Sequence, residues 1–219
     1  MDNKRREAYI NLIGQLLNSP SSEAEKILQT NQELVDEGLL EIMELCAQQQ
    51  LAENDDEKAQ NAANFLRSLR SQLVELLEIA EFSRLNFLVE VLRATIQSKS
   101  KGDSNVVYQL LQQNLDKLDD NFADILRNWA TAKFSEVEAD VAKSAIYIFS
   151  FSSLIAQFPL GSKANNMEIS IAGYEVVLKV FTYKSHRESW ATIQNNLGIA
   201  YINRIRGDKA QNIEAAIAA

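Results

Sequence analysis

The sequence predicts an all-α protein built from antiparallel helical hairpins, and three observations predict it. Long runs of Leu, Ala, Glu, Gln and Lys carry strong helix propensity, with only 7 Gly and 2 Pro to interrupt them. Apolar residues recur at spacings of three and four, not in the alternation a strand would need. Breaks at Ser19-Pro20, Gly102-Asp103 and Pro159-Leu160-Gly161 help divide the chain into roughly ten helices of ordinary length, joined by connections short enough to make neighbours antiparallel. At 219 residues and 46% hydrophobic, the chain can bury a core without disulfides or metals.

The first helix follows Lys4-Arg5-Arg6. Asn11, Gly14 and Gln15 interrupt the apolar series Tyr9, Ile10, Leu12, Ile13, Leu16, Leu17, so the segment is an amphipathic helix and not a secretion signal. Later helix starts carry a Ser/Thr-x-x-Glu box, in which the hydroxyl bonds an orphan amide and the carboxylate reaches back. Four such boxes are expected to cap helices: Ser22 with Glu25, Thr30 with Glu33, Ser135 with Glu138, and Ser185 with Glu188. The least charged stretch, Ser144 to Phe158, falls short of the roughly 20 apolar residues of a membrane span and contains scattered serines. It reads as a buried core helix.

An internal duplication runs through the N-terminal part. Ile27-Leu28-Gln29 to Met43 lies over Leu110-Leu111-Gln112 to Leu126 without a gap: Asn31 meets Asn114, Val35 meets Leu118, Asp36 meets Asp119, Leu39 meets Phe122 and Ile42 meets Ile125, an offset of 83 residues. Each copy reads as a short helix, a turn and a longer helix. Upstream, Tyr9, Ile10 and Ile13 are matched to Phe87, Leu88 and Val91 at an offset of 78, and downstream Ala59 and Ala62 to Ala142 and Ala145. The expected organisation is therefore a four-helix unit over residues 1–80, its copy over 81–160, and a further region over 161–219. A second period begins after Gly161, where Ile171-Ala172-Gly173-Tyr174 recurs as Ile217-Ala218-Ala219 at an offset of 46. Ending in an apolar helix at Ala219 suggests a fragment of a longer protein with more repeats to follow.

Composition narrows the function. With 22 Lys and Arg against 30 Asp and Glu, the formal charge of -8 opposes binding to nucleic-acid phosphates or anionic membranes. A single cysteine, Cys46, excludes an internal disulfide and points to the cytoplasm.

The segment Trp190-Ala191-Thr192-Ile193-Gln194-Asn195-Asn196-Leu197-Gly198-Ile199-Ala200-Tyr201 carries the Leu-Gly-x-x-Tyr hallmark and resembles the first helix of a tetratricopeptide repeat. Trp190, Ile193, Leu197, Tyr201 and Ile205 form one stripe at spacings of three and four; Gly198 would let the paired helix approach, and Ile213 to Ala219 would begin the second helix. Arg204-Ile205-Arg206-Gly207-Asp208-Lys209 lengthens the turn between the two, and Gln194 stands where the repeat commonly has an aromatic. This longer variant is similar to repeats of large bacterial multi-repeat proteins, many of which end in a caspase-like CHAT protease domain. The stretch Leu111 to Leu118 resembles the leader ahead of such arrays. The motif covers about the last 60 residues. The resemblance implies a right-handed α-solenoid and a non-catalytic protein-interaction scaffold with no cofactor. It leaves a second reading, a regulatory leader that controls a C-terminal effector such as a caspase-like protease.

In such a scaffold the first helix of each pair floors a concave groove. The residues on the groove side of the last repeat would be Thr192, Asn195, Ile199, Ile202 and Asn203, and Asn196 matches a position where family members hold a peptide backbone. The expected partner is a protein or peptide, with a homodimer through Ile213 and Ile217 as another outcome of the same surface.

Catalytic and metal chemistry finds little material. His186, the sole histidine, sits in a capping segment, and Cys46 lies on an apolar stripe where a thiol behaves as a small hydrophobe. The acidic clusters Asp55-Asp56-Glu57 and Asp119-Asp120 suit helix N-termini, and Arg204, Arg206 and Lys209 suit the carbonyl end of the helix before them. No Gly-rich phosphate loop occurs. A helical enzyme or ligand-binding bundle would need the Ser144 to Phe158 helix as the wall of a pocket.

Overall fold

A computed structural model describes residues 2–53, 56–101, 103–135 and 138–219. Among these there is no strand, and ten α-helices with three short 3-10 turns account for the chain. The helices are α1 (Asn3–Asn18), α2 (Ala24–Thr30), α3 (Glu37–Glu53), α4 (Glu57–Lys101), α5 (Asn105–Gln112), α6 (Asp120–Phe134), α7 (Glu138–Gln157), α8 (Lys163–Val177), α9 (Arg187–Asn203) and α10 (Lys209–Ala218). No helix among the described residues is long and apolar enough to cross a membrane. The chain forms two compact units, Met1–Ala80 and Glu81–Ala219, so residues after Gly161 share a unit with those before it.

In the first unit, Tyr9, Leu12, Ile13 and Leu16 of α1 pack with Leu39, Ile42, Met43 and Ala47 of α3 and with Ala63, Leu66, Leu69 and Leu73 of α4. The core of the second unit starts at Phe87 and Leu88 and continues through Phe122, Leu126, Ile148, Phe151 and Ile155 to Ile171, Tyr174 and Leu197. Phe122 lies at its centre, 5.5 Å from the Phe87 ring and 6.3 Å from that of Phe151. The segment Ser144 to Phe158 is thus a core helix, with Ile148, Phe151, Ser152 and Ile155 inaccessible to solvent.

The duplication is structural as well as textual. Asn31 and Asn114 adopt nearly the same backbone (φ -123, ψ 38 and φ -134, ψ 38). Each side-chain amide donates to the carbonyl four residues back, Ile27 and Leu110. Each also precedes a 3-10 turn and then a helix capped by an aspartate: Asp36 accepts from the Leu39 amide and Asp119 from the Phe122 amide, both at 3.0 Å. The offset of 83 therefore holds across the middle of the unit.

The flanking helices need different registers. Burial matches Tyr9, Leu12, Ile13 and Leu16 to Leu88, Val91, Leu92 and Thr95, an offset of 79 and not 78. The expected partner of buried Leu88, Ile10, is 47% exposed, because a one-residue shift on a helix rotates a side chain off the core face. Likewise Ala63, Leu66, Leu69 and Leu73 match Ala145, Ile148, Phe151 and Ile155 at 82, since Ala62, the expected partner of Ala145, lies beside the buried row.

The Ser/Thr-x-x-Glu boxes at Ser22, Thr30 and Ser185 do not cap helices. Ser22 lies inside a 3-10 turn, Thr30 ends α2 with its hydroxyl donating to Lys26 O, and Ser135 closes α6 by donating to Ala132 O. Ser185 pairs with Thr182 in the turn before α9. Glu138 lies outside the residues whose side chains are described. Starts are marked instead by Asp2, Asp36, Asp56, Asp119, Ser162 and Asp208, each accepting from an amide two or three residues on. A short carboxylate both bonds the orphan amides and meets the positive end of the dipole, which explains the acidic pairs at Asp56 and Asp119; Asp55 and Gly102 lie outside the described residues.

The second period begins earlier than Gly161. Helices α7 and α9 end at Gln157 and Asn203, and α8 and α10 begin at Lys163 and Lys209, each pair 46 apart. Gly161 and Gly207 take the same left-handed conformation, with φ 75 and 77. Ser162 and Asp208 cap the next helix, and the buried amides of Asn166 and Asn212 close the loop onto Leu160 O and Arg206 O at 3.0 and 2.8 Å. Hairpins α7–α8 and α9–α10 are therefore two copies of one hairpin, and α7 serves both as the last helix of the duplicated unit and as the first of this pair.

Candidate partner-binding surface

Helix α9 packs through Ile193, Leu197, Gly198 and Ala200, against α8 on one side and α10 on the other. A methyl group at Gly198 would sit 3.1 Å from Ala216 O and 3.7 Å from Ala219 Cβ, so the small residue sets how near α10 comes. The equivalent contact in the other hairpin joins Ser152 to Gly173, where an added Cβ would collide with the serine hydroxyl and lie 3.1 Å from its Cβ. Tyr201 is half-buried and donates to Glu175 of α8 at 2.8 Å. Burial and that bond push its pKa up to about 12. Ile205, expected to extend the buried stripe, is 60% exposed because α9 ends at Asn203 and the backbone turns away.

The opposite side of α9 carries the predicted groove residues. Thr192, Asn195, Ile199, Ile202 and Asn203 are all exposed, Ile199 at 51% and Ile202 at 68%. Their spacing of three and four places them on one face. Thr192 and Asn203 are turned back onto their own helix, donating to Glu188 O and Ile199 O, which leaves Asn195 and the two isoleucines as the outward chemistry. Asn196, next to Asn195 on the same helix, is half-buried, whereas the other five are exposed.

Arg204 and Arg206 neither cap α9 nor face solvent freely. Arg204 grips Glu168 of α8 with two parallel bonds of 2.8 and 2.7 Å. Arg206 bonds Asp120 of α6 and, at 2.7 Å, Asn165. Planar guanidinium forks suit this double contact. The loop between α9 and α10 is thereby fastened to α6 and α8, which fixes where the Ile199 face lies within the second unit. Sequence reasoning missed these partners, since the carboxylates stand 36 and 86 residues away.

The remaining chemical candidates are absorbed by packing. His186 is exposed at the N-cap of α9 with its ring against Phe181, 5.0 Å between centroids. Cys46 packs against the core of the first unit, and burial pushes its thiol pKa up, away from the reactive thiolate. No group of three His, Cys, Asp or Glu able to hold a metal occurs among the described residues. A cavity of about 250 Å³ is lined by Thr95, Ile96, Lys99, Tyr147 and Ser150. The Thr95 and Ser150 hydroxyls donate to Val91 O and Ile146 O of their own helices, so they do not converge on it.

Compared with models of protein families, with curated proteins and with solved structures, the chain finds no match. Its surface must be read from its own residues.

Proposed function

We propose that this chain is a non-catalytic scaffold for protein recognition, in which tetratricopeptide-type hairpins stack as a right-handed α-solenoid and present a helix face to a cytoplasmic protein or peptide. One observation carries the reading. On α9, a helix held on both sides by its neighbours, Ile199 and Ile202 stand half to two-thirds exposed beside Asn195. Aliphatic groups on a rigid element supply apolar contact with little entropy lost on binding, and an adjacent amide supplies direction by hydrogen bonding to a polypeptide backbone. The repeated hairpin supports it as well, because copies at a constant offset of 46 are how stacked repeats are built. Burial of Cys46 and the packing of His186 on Phe181 give nucleophilic catalysis no support.

The test is a photo-crosslinking amino acid placed at Ile199 or Ile202, with a control at Leu160, also exposed on the second unit. Discrete protein adducts at the first two sites, with those at position 202 lost on adding Asn195→Ala and Ile199→Arg, support the reading. Adducts of equal yield at Leu160, or none at any site, overturn it.

A further inference from the structure

The turn between α8 and α9 holds an arginine on aromatic rings instead of on a carboxylate. Arg5, Arg67, Arg84, Arg127, Arg204 and Arg206 each bond an acidic side chain of the fold. Arg187 lies instead 4.6 Å over the centre of the Tyr183 ring, and Tyr183 meets Trp190 edge-on at 5.2 Å. Among the described residues nothing accepts a hydrogen bond from the Arg187 guanidinium, the Tyr183 hydroxyl or the Trp190 Nε1–H. Tyr183 is 51% exposed, Arg187 is exposed and Trp190 half-buried, so the cluster is open to solvent. The turn itself is tied down. The hydroxyls of Thr182 and Ser185 lie 2.9 Å apart and each accepts from the other's amide at 3.2 Å, the His186 amide closes onto Thr182 O at 2.9 Å, and the His186 ring packs on buried Phe181. Groups held in this way lose little freedom when something binds them.

The hairpin does not require this cluster. At the offset of 46, Arg187 and Trp190 become Val141 and Ser144, and α7 forms without them. Charge indicates what would occupy it. The chain as a whole is acidic, at -8. Yet between Glu175 and Asp208 it has one acid, Glu188, against Lys179, Lys184, Arg187, Arg204 and Arg206. Arg204 and Arg206 are spent on Glu168 and Asp120. Lys179, Lys184 and Arg187 are exposed and pair with no carboxylate among the described residues. A guanidinium stacked on a ring keeps its in-plane donors for an incoming carboxylate, and Trp, Tyr and Arg are the residues that most often carry the binding energy of protein interfaces.

We propose that this turn docks an acidic linear segment of a partner protein. One carboxylate of the segment takes the donors of Arg187, the field of Lys179 and Lys184 draws in its neighbours, and an aromatic or aliphatic side chain beside them covers Tyr183 and Trp190. An anionic membrane would meet the same cations and rings, but it would also face the acidic remainder of the chain. A short segment feels the local charges alone, because salt screens the others beyond about 10 Å. The proposal rests on the role in protein recognition but not on the Ile199 and Ile202 face.

The probe is the end-blocked peptide Glu-Glu-Phe-Asp-Glu, titrated into the full chain carrying Trp129→Phe so that Trp190 alone reports by fluorescence; anisotropy of the labelled peptide on the unaltered chain should give the same constant. Saturable, sub-millimolar binding is expected. A peptide with Gln and Asn in place of its acids should bind at least about tenfold more weakly, and Arg187→Gln should cost the acidic peptide a similar factor. Tyr183→Ala, which removes the platform, should cost about tenfold as well. Both side chains are exposed, and an unchanged circular dichroism melt confirms that the variants fold. Arg93→Gln, exposed elsewhere on the same unit, should change the affinity less than about twofold. No saturation at millimolar peptide, equal affinity for the neutral peptide, or an equal loss from Arg93→Gln overturns the proposal. So does binding to phosphatidylserine vesicles that Arg187→Gln abolishes, without peptide binding, since a lipid surface would then own the patch. Peptide binding here with no crosslinks at Ile199 and Ile202 would sink only the reading of that face, and crosslinks there without peptide binding only this one.

Discussion

Asp36 and Asp119, 83 residues apart, occupy the same place in two copies of one motif. Each carboxylate caps the helix that follows and is gripped by an arginine from an earlier helix: Arg5 bonds Asp36 at 2.6 Å, and Arg84 bonds Asp119 at 3.2 and 2.5 Å. The two arginines are 79 apart, the register that burial gives independently for those helices. The first copy adds Tyr9, whose hydroxyl donates to Asp36 at 2.7 Å and lies over Gly38, where a Cβ would come within 2.8 Å of that oxygen. In the second copy the matching positions are Leu88 and Asn121, and the tyrosine contact is absent.

Replacing Asp119 should therefore cost both a cap and an ion pair. Asp119→Ala is expected to lower stability by about 1–3 kcal/mol, combining a lost cap with a charge-assisted pair. Asp119→Asn keeps the cap and should lose less. Urea unfolding followed at Trp129 and Trp190 fluorescence, both in the second unit, measures the difference.

The pH dependence of the first copy follows from Asp36. Burial alone would raise its pKa, but the hydrogen bonds from Arg5, Tyr9 and the Leu39 amide outweigh it and hold the carboxyl below its ordinary value. A carboxyl depressed in the folded state adds stability above its unfolded pKa and loses it as pH falls through the folded one. The melting-temperature advantage of the wild type over Asp36→Asn should be full at neutral pH, decline below about pH 4 and disappear in stronger acid. An advantage that persists unchanged in strong acid would contradict this.

Tyr201 gives the opposite sign. With its pKa raised to about 12, the folded state keeps its phenol proton where the unfolded chain has lost it, so the contribution is complete below about pH 10 and lost as pH rises toward 12. In an ultraviolet titration Tyr201 should ionise after the unperturbed range. Burial also raises Tyr9 and Tyr174, so Tyr201→Phe should reduce the late-ionising amplitude by one phenol, and it should cost about 1 kcal/mol at neutral pH through the bond to Glu175.

Two helical glycines should respond oppositely to alanine. Nothing lies within 4 Å of a Cβ at Gly14, so Gly14→Ala should stabilise by about 1 kcal/mol through helix propensity. At Gly173 the new methyl meets Ser152, and overpacking should cost about 1–3 kcal/mol. The double variant Ser152→Gly with Gly173→Ala should recover part of that loss.

The helices and the 83-residue duplication were legible because apolar periodicity and the Asn31 and Asn114 turns act locally. Ile199 and Ile202 were legible for the same reason, as they flank a stripe whose Ile193 and Leu197 are buried. What escaped depends on distant partners. Nothing near Arg206 announces Asp120, and nothing near Tyr201 announces that Glu175 accepts from its hydroxyl. The capping boxes misled because a Ser/Thr-x-x-Glu spacing recurs by chance in a helix-rich sequence, whereas the caps at Asp36 and Asp208 are single short carboxylates that accept an amide three residues on.

The claim on which the rest depends is that α7–α8 and α9–α10 are one hairpin in one register. With Cys46→Ala as background, two cysteine pairs test it: Gly198→Cys with Ala219→Cys, whose Cβ atoms would lie 3.7 Å apart, near the separation of about 3.8 Å that a disulfide needs, and Ser152→Cys with Gly173→Cys, 3.1 Å apart, where the helices must part by a few tenths of an ångström. Both pairs should oxidise to intramolecular disulfides with the fold intact. Failure of the Gly198→Cys, Ala219→Cys pair, with closure instead when Gly198→Cys is moved one turn along α9, would contradict the equivalence.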